Sequence, residues 1–361
     1  MKTRTAWIWI ALGAAAAGLH LALGRNSALA ERFFSRGLFV AWRWTWDLTL
    51  GRSPIPWLYV FAAVVLIAGA AKVARVFSRP RSRIRLPRLK AIGRTLLRTA
   101  AWAGALVFFF YVLWGFNYDR VGLEKQLGLE PPPLDAAALA AEASWASRMA
   151  KESRASIPSA TSEALGKSVL PAGLETTLRK ALVTVLREAG YPAPGRVRVR
   201  TFIPGGWMMR FSSTGIYIPY FGEGYTAGNL LPFEKPFTMA HEMAHGFGIT
   251  DEGAANFLAF LTCEASPEPM VRYSGYASYW SYASGELLRD EFKALWADLP
   301  EGMKADLLAA QKNAARYRGA LDKISRKVYA RYLKSQRIED GLRSYSRFVG
   351  LVAAWKQKSP R

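Results

Sequence analysis

His241 and His245 stand four residues apart in the pattern HExxH, with Glu242 directly after the first. On a helix, residues four apart share a face, with roughly 6 Å between their Cβ atoms. Two imidazoles so placed can both reach one metal ion, and Glu242 projects over the open side of that ion. A carboxylate there can take a proton from water at the metal. This is the arrangement of zinc metallopeptidases, and it predicts Zn²⁺ as cofactor, about one ion per chain. HExxH alone is short enough to arise by chance, but its surroundings support a helix. Pro236 suits a first helical turn. Phe237, Met239, Ala240, Met243 and Ala244 can pack that helix into a core, and Gly246 and Gly248 would end it.

A four-coordinate catalytic zinc takes three protein ligands and keeps one position open. The chain has only three histidines, and His20 lies in an apolar N-terminal run. The third ligand is therefore expected to be a carboxylate, and two adjacent ones compete. Read as HExxHxxGxxD, the stretch makes Asp251 the ligand after a turn at Gly248, a variant of the metzincin pattern, whose usual last member is histidine. Read as HExxH followed by ExxxN, it makes Glu252 the ligand on a second helix. Asn256 then lies one turn on, where its amide can hold a ligating histidine from behind. With Thr250 as cap of that helix, Asp251 becomes a first-turn acid facing the helix dipole. The spacing favours Glu252 and leaves Asp251 as the alternative.

The elements that must position these residues follow from composition. The chain has 361 residues, a formal charge of +22 and 51% hydrophobic residues. Residues 72–98 carry ten Lys/Arg and no Asp/Glu. That block lies between two apolar runs, so it reads as a membrane-flanking loop and not as a nucleic-acid surface. Three stretches, 6–23, 55–77 and 96–116, are predicted to span a bilayer. The basic loop 78–95 would be cytoplasmic, and the chain after the third span extracytoplasmic. A cleaved signal peptide with its site at Ala28-Leu29-Ala30 is the rival for the first run, and it leaves that orientation unchanged. Trp42, Trp44, Trp46 and Trp57 suit a membrane interface, and His20 is expected there too. The division is a membrane region over 1–117 and an extracytoplasmic domain over 118–361. The single Cys263 excludes internal disulfides and reads as a buried thiol.

In the second part, helices are predicted over 134–149, 174–189, 250–264, 287–299, 303–317, 327–334 and 342–355, while 271–282 is a tyrosine-dense stretch whose aromatics suit a core. Strands are predicted over 196–203 and 214–221. Gly215, Ile216, Tyr217 and Ile218 are the candidate edge strand for pairing with an extended peptide substrate. Glu223 reads either as a cleft residue or as a turn carboxylate. A donor to the oxyanion is expected, with Tyr276 and Tyr345 as candidates. No nucleotide-binding glycine loop is present, and the positions of the histidines leave no Ser/His/Asp set.

Five stretches carry a resemblance: LWGFNYDR at 113–120, GIYIPYFGE at 215–223, the segment 236–264, RYSGY at 272–276, and YLKSQRIEDGLRSYSRFV at 332–349. With the span layout, they resemble a bacterial family of multi-pass membrane proteins catalogued as a domain of unknown function. The resemblance implies a gluzincin-like HExxH domain and supplies no substrate. The family pattern reads E-D-E-A-N where this chain has Glu252-Gly253-Ala254-Ala255-Asn256. The acid matching Ala254 is absent, which favours Glu252 as the shared ligand.

The expected fold is therefore α+β and zincin-like: a mostly helical metallopeptidase domain with a small sheet, preceded by a transmembrane helical region. The expected function is a membrane-anchored zinc peptidase of the bacterial cytoplasmic membrane. It would hydrolyse extracytoplasmic peptides or proteins, with Glu242 as general base. The alternative is a non-catalytic membrane protein that binds peptides or scaffolds an envelope complex. Glu242 argues against it, since binding needs no general base. Cleavage inside the bilayer is disfavoured by Glu234, Lys235, Asp251 and Glu252 around the motif.

Overall fold

A computed structural model describes residues 1–78, 88–158, 160–335 and 344–358. The chain forms two compact units, one of residues 1–120 with 218–223, the other of residues 121–217 with 224–361.

The first unit contains α1 (Thr3–Leu23), α2 (Ser27–Leu29), a π-helical stretch Ala30–Leu38, α3 (Phe39–Leu48), α4 (Trp57–Phe77) and α5 (Arg88–Leu113). Three stretches, Thr3–Leu23, Trp57–Arg75 and Ile92–Leu113, are long and apolar enough to cross a membrane. The third helix stops at Leu113, before the expected end at 116, and Gly115–Asp119 follows as a 3-10 turn. Of the basic loop 78–95, residues 79–87 lie outside those described. α1 and α5 cross through glycines: a Cβ on Gly13 would lie 2.5 Å from the Gly104 carbonyl oxygen. Small residues at such a crossing let two backbones approach closely. His20 lies in the last turn of α1. It is buried, stacked on Tyr111 with centroids 5.0 Å apart, and its Nδ1 lies 2.8 Å from Asp119 Oδ2.

The segment 218–223 joins this unit through specific contacts. The Tyr220 hydroxyl donates to the Leu106 carbonyl at 3.1 Å, and Phe221 packs against Phe61 at 5.5 Å between centroids. Glu223 is buried and accepts the Trp57 N–H at 3.1 Å, so it neither lines a cleft nor sits in an open turn.

The second unit is mostly helical with one small sheet. In chain order it holds α6 (Leu123–Leu127), α7 (Ala136–Ala155), α8 (Leu174–Glu188), β1 (Arg198–Phe202), α9 (Gly206–Met209), β2 (Gly215–Ile218) and β3 (Glu223–Ala227). Then come α10 (Lys235–Gly246), α11 (Glu252–Glu264), α12 (Pro269–Ser284), α13 (Arg289–Ala297), α14 (Glu301–Ala315), α15 (Ala320–Ser335) and α16 (Ser344–Lys358). The sheet order is β1-β3-β2. The strand expected over 214–221 ends at Ile218, because Pro219 lacks the N–H a ladder needs and starts a 3-10 turn. β3 was not expected. Its five residues, Glu223 and Thr226 among them, are all buried, so it shows no alternation of buried and exposed positions.

The core is assembled around α10 and α11. Leu178, Leu182 and Leu186, at four-residue spacing on α8, are fully buried with Met243, Phe257, Phe260 and Phe348. Burying each large apolar side chain contributes about 1.5–3 kcal/mol, so this cluster is the main force holding the two helices in place. Small residues allow the close approaches. A Cβ on Gly275 of α12 would lie 2.6 Å from the Cys263 Cβ of α11, and one on Gly246 would lie 2.3 Å from Val197 Cγ1. Cys263 is a free, buried thiol, and burial pushes its pKa up, away from reactivity.

Candidate metal centre

The end of α10 sets the orientation of His245. Gly248 adopts φ +86°, a left-handed position suited to glycine, and Ile249 N–H bonds back to the Ala244 carbonyl at 3.1 Å. This reversal brings the Ile249 carbonyl over the helix end, where it accepts from His245 Nδ1 at 2.7 Å. The His241 ring is fixed from α11, its Nδ1 lying 2.8 Å from Asn256 Oδ1. Asn256 Nδ2 in turn faces the Tyr282 hydroxyl at 3.4 Å, which orients the amide.

With both Nδ1 atoms assigned as donors to these oxygens, the two Nε2 atoms are left as the positions that a proton or a metal ion can occupy. The two Nε2 atoms face each other at 2.9 Å. Glu252, at the first position of α11, adds its carboxylate: Oε2 lies 3.2 Å from His241 Nε2 and Oε1 3.7 Å from His245 Nε2. Ligand atoms of all three residues lie within 4.8 Å of one another. Ligands about 2.0–2.1 Å from a tetrahedral ion lie about 3.3 Å from each other, so these separations fit one zinc. The electrostatics agree. Burial alone would push the His245 imidazole down, but the Glu252 carboxylate overrides it and raises the pKa to about 9. Burial would raise Glu252, yet the two imidazoles hold it well below the usual carboxylate range. The converging Nε2 atoms and the carboxylate draw in positive charge, which a divalent cation would supply.

Glu242 is buried beside this cluster, and its Oε2 has no protein hydrogen-bond partner among the described residues. Burial pushes its carboxyl up to about 7, against the opposing pull of the His241 and His245 rings. The sheet backs it closely. A Cβ on Gly215 of β2 would lie 2.3 Å from Glu242 Oε1, and one on Gly224 of β3 would lie 3.2 Å from Glu242 Cβ. Gly215→Ala is therefore expected to displace this carboxylate. If Glu242 is the general base, turnover should fall by on the order of 10²-fold, as such misplacements do, with metal content unchanged. Unchanged turnover would show that the carboxylate's position does not matter.

Asp251 is placed elsewhere. It is the N-cap of α11, accepting the Ala254 N–H at 2.7 Å, so the cap is this residue and not Thr250. Its carboxylate also lies 3.3 Å from Arg347 Nη1. His241 and Glu252 are partly exposed, whereas His245 and Glu242 are buried. On β2, Ile216 is exposed, while Gly215, Tyr217 and Ile218 are partly buried, and the strand lies at an edge of the sheet.

Two tyrosines at the site were not expected. Tyr282 stands behind Asn256, and Tyr329 of α15 donates its hydroxyl to Glu252 Oε1. Tyr329 lies 77 residues after Glu252, and no local pattern links them. Of the tyrosines named as oxyanion donors, Tyr276 is buried in the aromatic core, with ring centroids 5.7 Å from Trp145 and 5.6 Å from Phe260. The Tyr345 side chain lies outside the described residues.

The chain matches no curated protein and no solved structure. The family described as "Protein of unknown function (DUF3810)" matches residues 34–353. That range takes in most of the first unit, HExxH, Glu252 and Asn256, and the chain belongs to this family.

Proposed function

We propose, for this member of the DUF3810 family, a membrane-anchored zinc endopeptidase that cleaves peptides or proteins outside the cytoplasm. The convergence of His241, His245 and Glu252, with the buried and partner-free Glu242 Oε2 beside them, carries this reading. His241, His245 and Glu252 would hold the ion. Asn256 and the Ile249 carbonyl keep the two rings turned inward. A zinc ion bound there would supply Lewis-acid polarisation of water and of the scissile carbonyl. Glu242 accepts the proton of the attacking water and delivers it to the departing amine. The edge strand of Gly215, Ile216, Tyr217 and Ile218 would pair with the extended substrate backbone. Tyr329, whose hydroxyl already reaches Glu252, replaces Tyr276 as the candidate donor to the developing oxyanion.

The three membrane-length helices support anchoring in a membrane, here read as the bacterial cytoplasmic membrane. The Lys/Arg excess of the segment 72–98 supports a cytoplasmic connecting loop and a second unit outside. No nucleic-acid role is assigned.

The test is cleavage of a mixed peptide library by the full chain in detergent, read by mass spectrometry. Cuts should appear, vanish with a zinc chelator such as 1,10-phenanthroline, and return when zinc is restored. Cuts that persist under chelation, or no cuts by the zinc-loaded chain, would count against the reading.

A further inference from the structure

α15 presents an apolar stripe to solvent. Leu321, Ile324 and Val328 repeat at helical spacing and all are exposed. From residue 316 to 331 the chain carries six bases, Arg316, Arg318, Lys323, Arg326, Lys327 and Arg331, all exposed, and one acid, Asp322. Asp322 is buried and bonded to Ser212 and Arg326, so it offsets one of the six bases and leaves an excess of five.

The stripe continues onto α9 and its exit. Trp207 and Phe211 are exposed and lie with ring centroids 5.8 Å apart. The two elements are joined by hydrogen bonds: Ser325 Oγ donates to the Phe211 carbonyl at 2.8 Å, and Arg326 Nε to Ser212 Oγ at 3.2 Å. One face of the second unit thus combines an indole, a phenyl ring and three aliphatic side chains with a basic surround. An amphipathic helix with bases on its polar side and aromatics beside its apolar side is the composition that lies in a bilayer interface.

We infer that the α9–α15 face docks on a bilayer surface bearing anionic phospholipid headgroups, with Trp207, Phe211, Leu321, Ile324 and Val328 entering the acyl boundary. Two observations favour lipid over a protein partner. The same chain carries three helices of membrane-spanning length, so a bilayer is always at high effective concentration. The exposed charges from 316 to 331 are all positive, which matches a uniformly anionic sheet of headgroups. The consequence is local. α15 also delivers Tyr329 to Glu252, so docking would hold the cluster against the membrane and restrict its substrates to segments emerging from the bilayer. The docking itself does not depend on any catalytic activity.

The test uses the full chain in nanodiscs. Cys263 is buried, so a new exposed thiol can be labelled selectively with an environment-sensitive nitrobenzoxadiazole dye. One label goes at Ile324→Cys and a control at Glu188→Cys, an exposed site at the end of α8. With nitroxide-bearing lipids in a phosphatidylglycerol-rich disc, the label at 324 should be blue-shifted and quenched several-fold more than the label at 188. The difference should shrink in a phosphatidylcholine disc and in a chain carrying Lys323→Glu, Lys327→Glu and Arg331→Glu. Equal quenching at the two positions would overturn the proposal. So would a blue shift at 324 without lipid quenching, which would mean that a protein or a second copy of the chain covers the face.

Discussion

Glu242→Gln is expected to reduce peptide cleavage by on the order of 10²–10⁴-fold while leaving bound metal unchanged. The amide is nearly isosteric, so the packing of Gly215 and Gly224 against this side chain should survive. It cannot accept the proton of the attacking water, and the described structure offers no second base in contact with the cluster. Asp251 is occupied as a helix cap and by Arg347, and the Glu252 carboxylate faces both histidines. The measurement is single-turnover cleavage of a peptide found with the wild-type chain, alongside zinc content of the same preparation. A variant that keeps zinc and cleaves at the wild-type rate would remove Glu242 from the mechanism.

The second large effect separates the two acids next to each other in sequence. Glu252→Ala should cost more zinc affinity than the 10–100-fold typical of losing an outer partner, because it removes one of three converging donors and leaves two imidazoles. Asp251→Ala should keep zinc. Its cost is in stability: loss of the cap on the Ala254 N–H, about 1 kcal/mol, together with the contact to Arg347. Competition titration against a zinc-sensing dye reads the first quantity and chemical denaturation the second. If Asp251→Ala loses the metal and Glu252→Ala keeps it, the ligand assignment is reversed and the metzincin-like variant replaces it.

The part of the site that could be read in the sequence is the part written in helical spacing. HExxH and ExxxN place His241, His245, Glu252 and Asn256 by local periodicity, and in the structure these four side chains meet. The second acceptor, the Ile249 carbonyl, is a backbone atom delivered by the turn at Gly248, and no side-chain pattern announces it. Tyr329 and the Asp119 partner of His20 are 77 and 99 residues away from the groups they touch, so only the tertiary fold brings them in. The choice of Asp251 over Thr250 as cap was a competition between two good capping residues one position apart.

The elements show the same division. The three apolar runs were legible from their length and composition, and the long helices of the second unit from their period. β3, short and buried throughout, carried none. The segment 218–223 belongs with the membrane-length helices although it lies between two strands of the second unit. Its contacts, Tyr220 to Leu106 and Phe221 to Phe61, are long-range and leave no mark in the local pattern.

The central claim is that His241, His245 and Glu252 form a zinc site. Its most direct test is the metal content of the full chain, purified without added metal and measured by inductively coupled plasma mass spectrometry. The account predicts about one zinc per wild-type chain and a large loss in His245→Ala. A wild-type chain that is folded and contains no zinc, or a His245→Ala chain that retains it in full, would contradict the account.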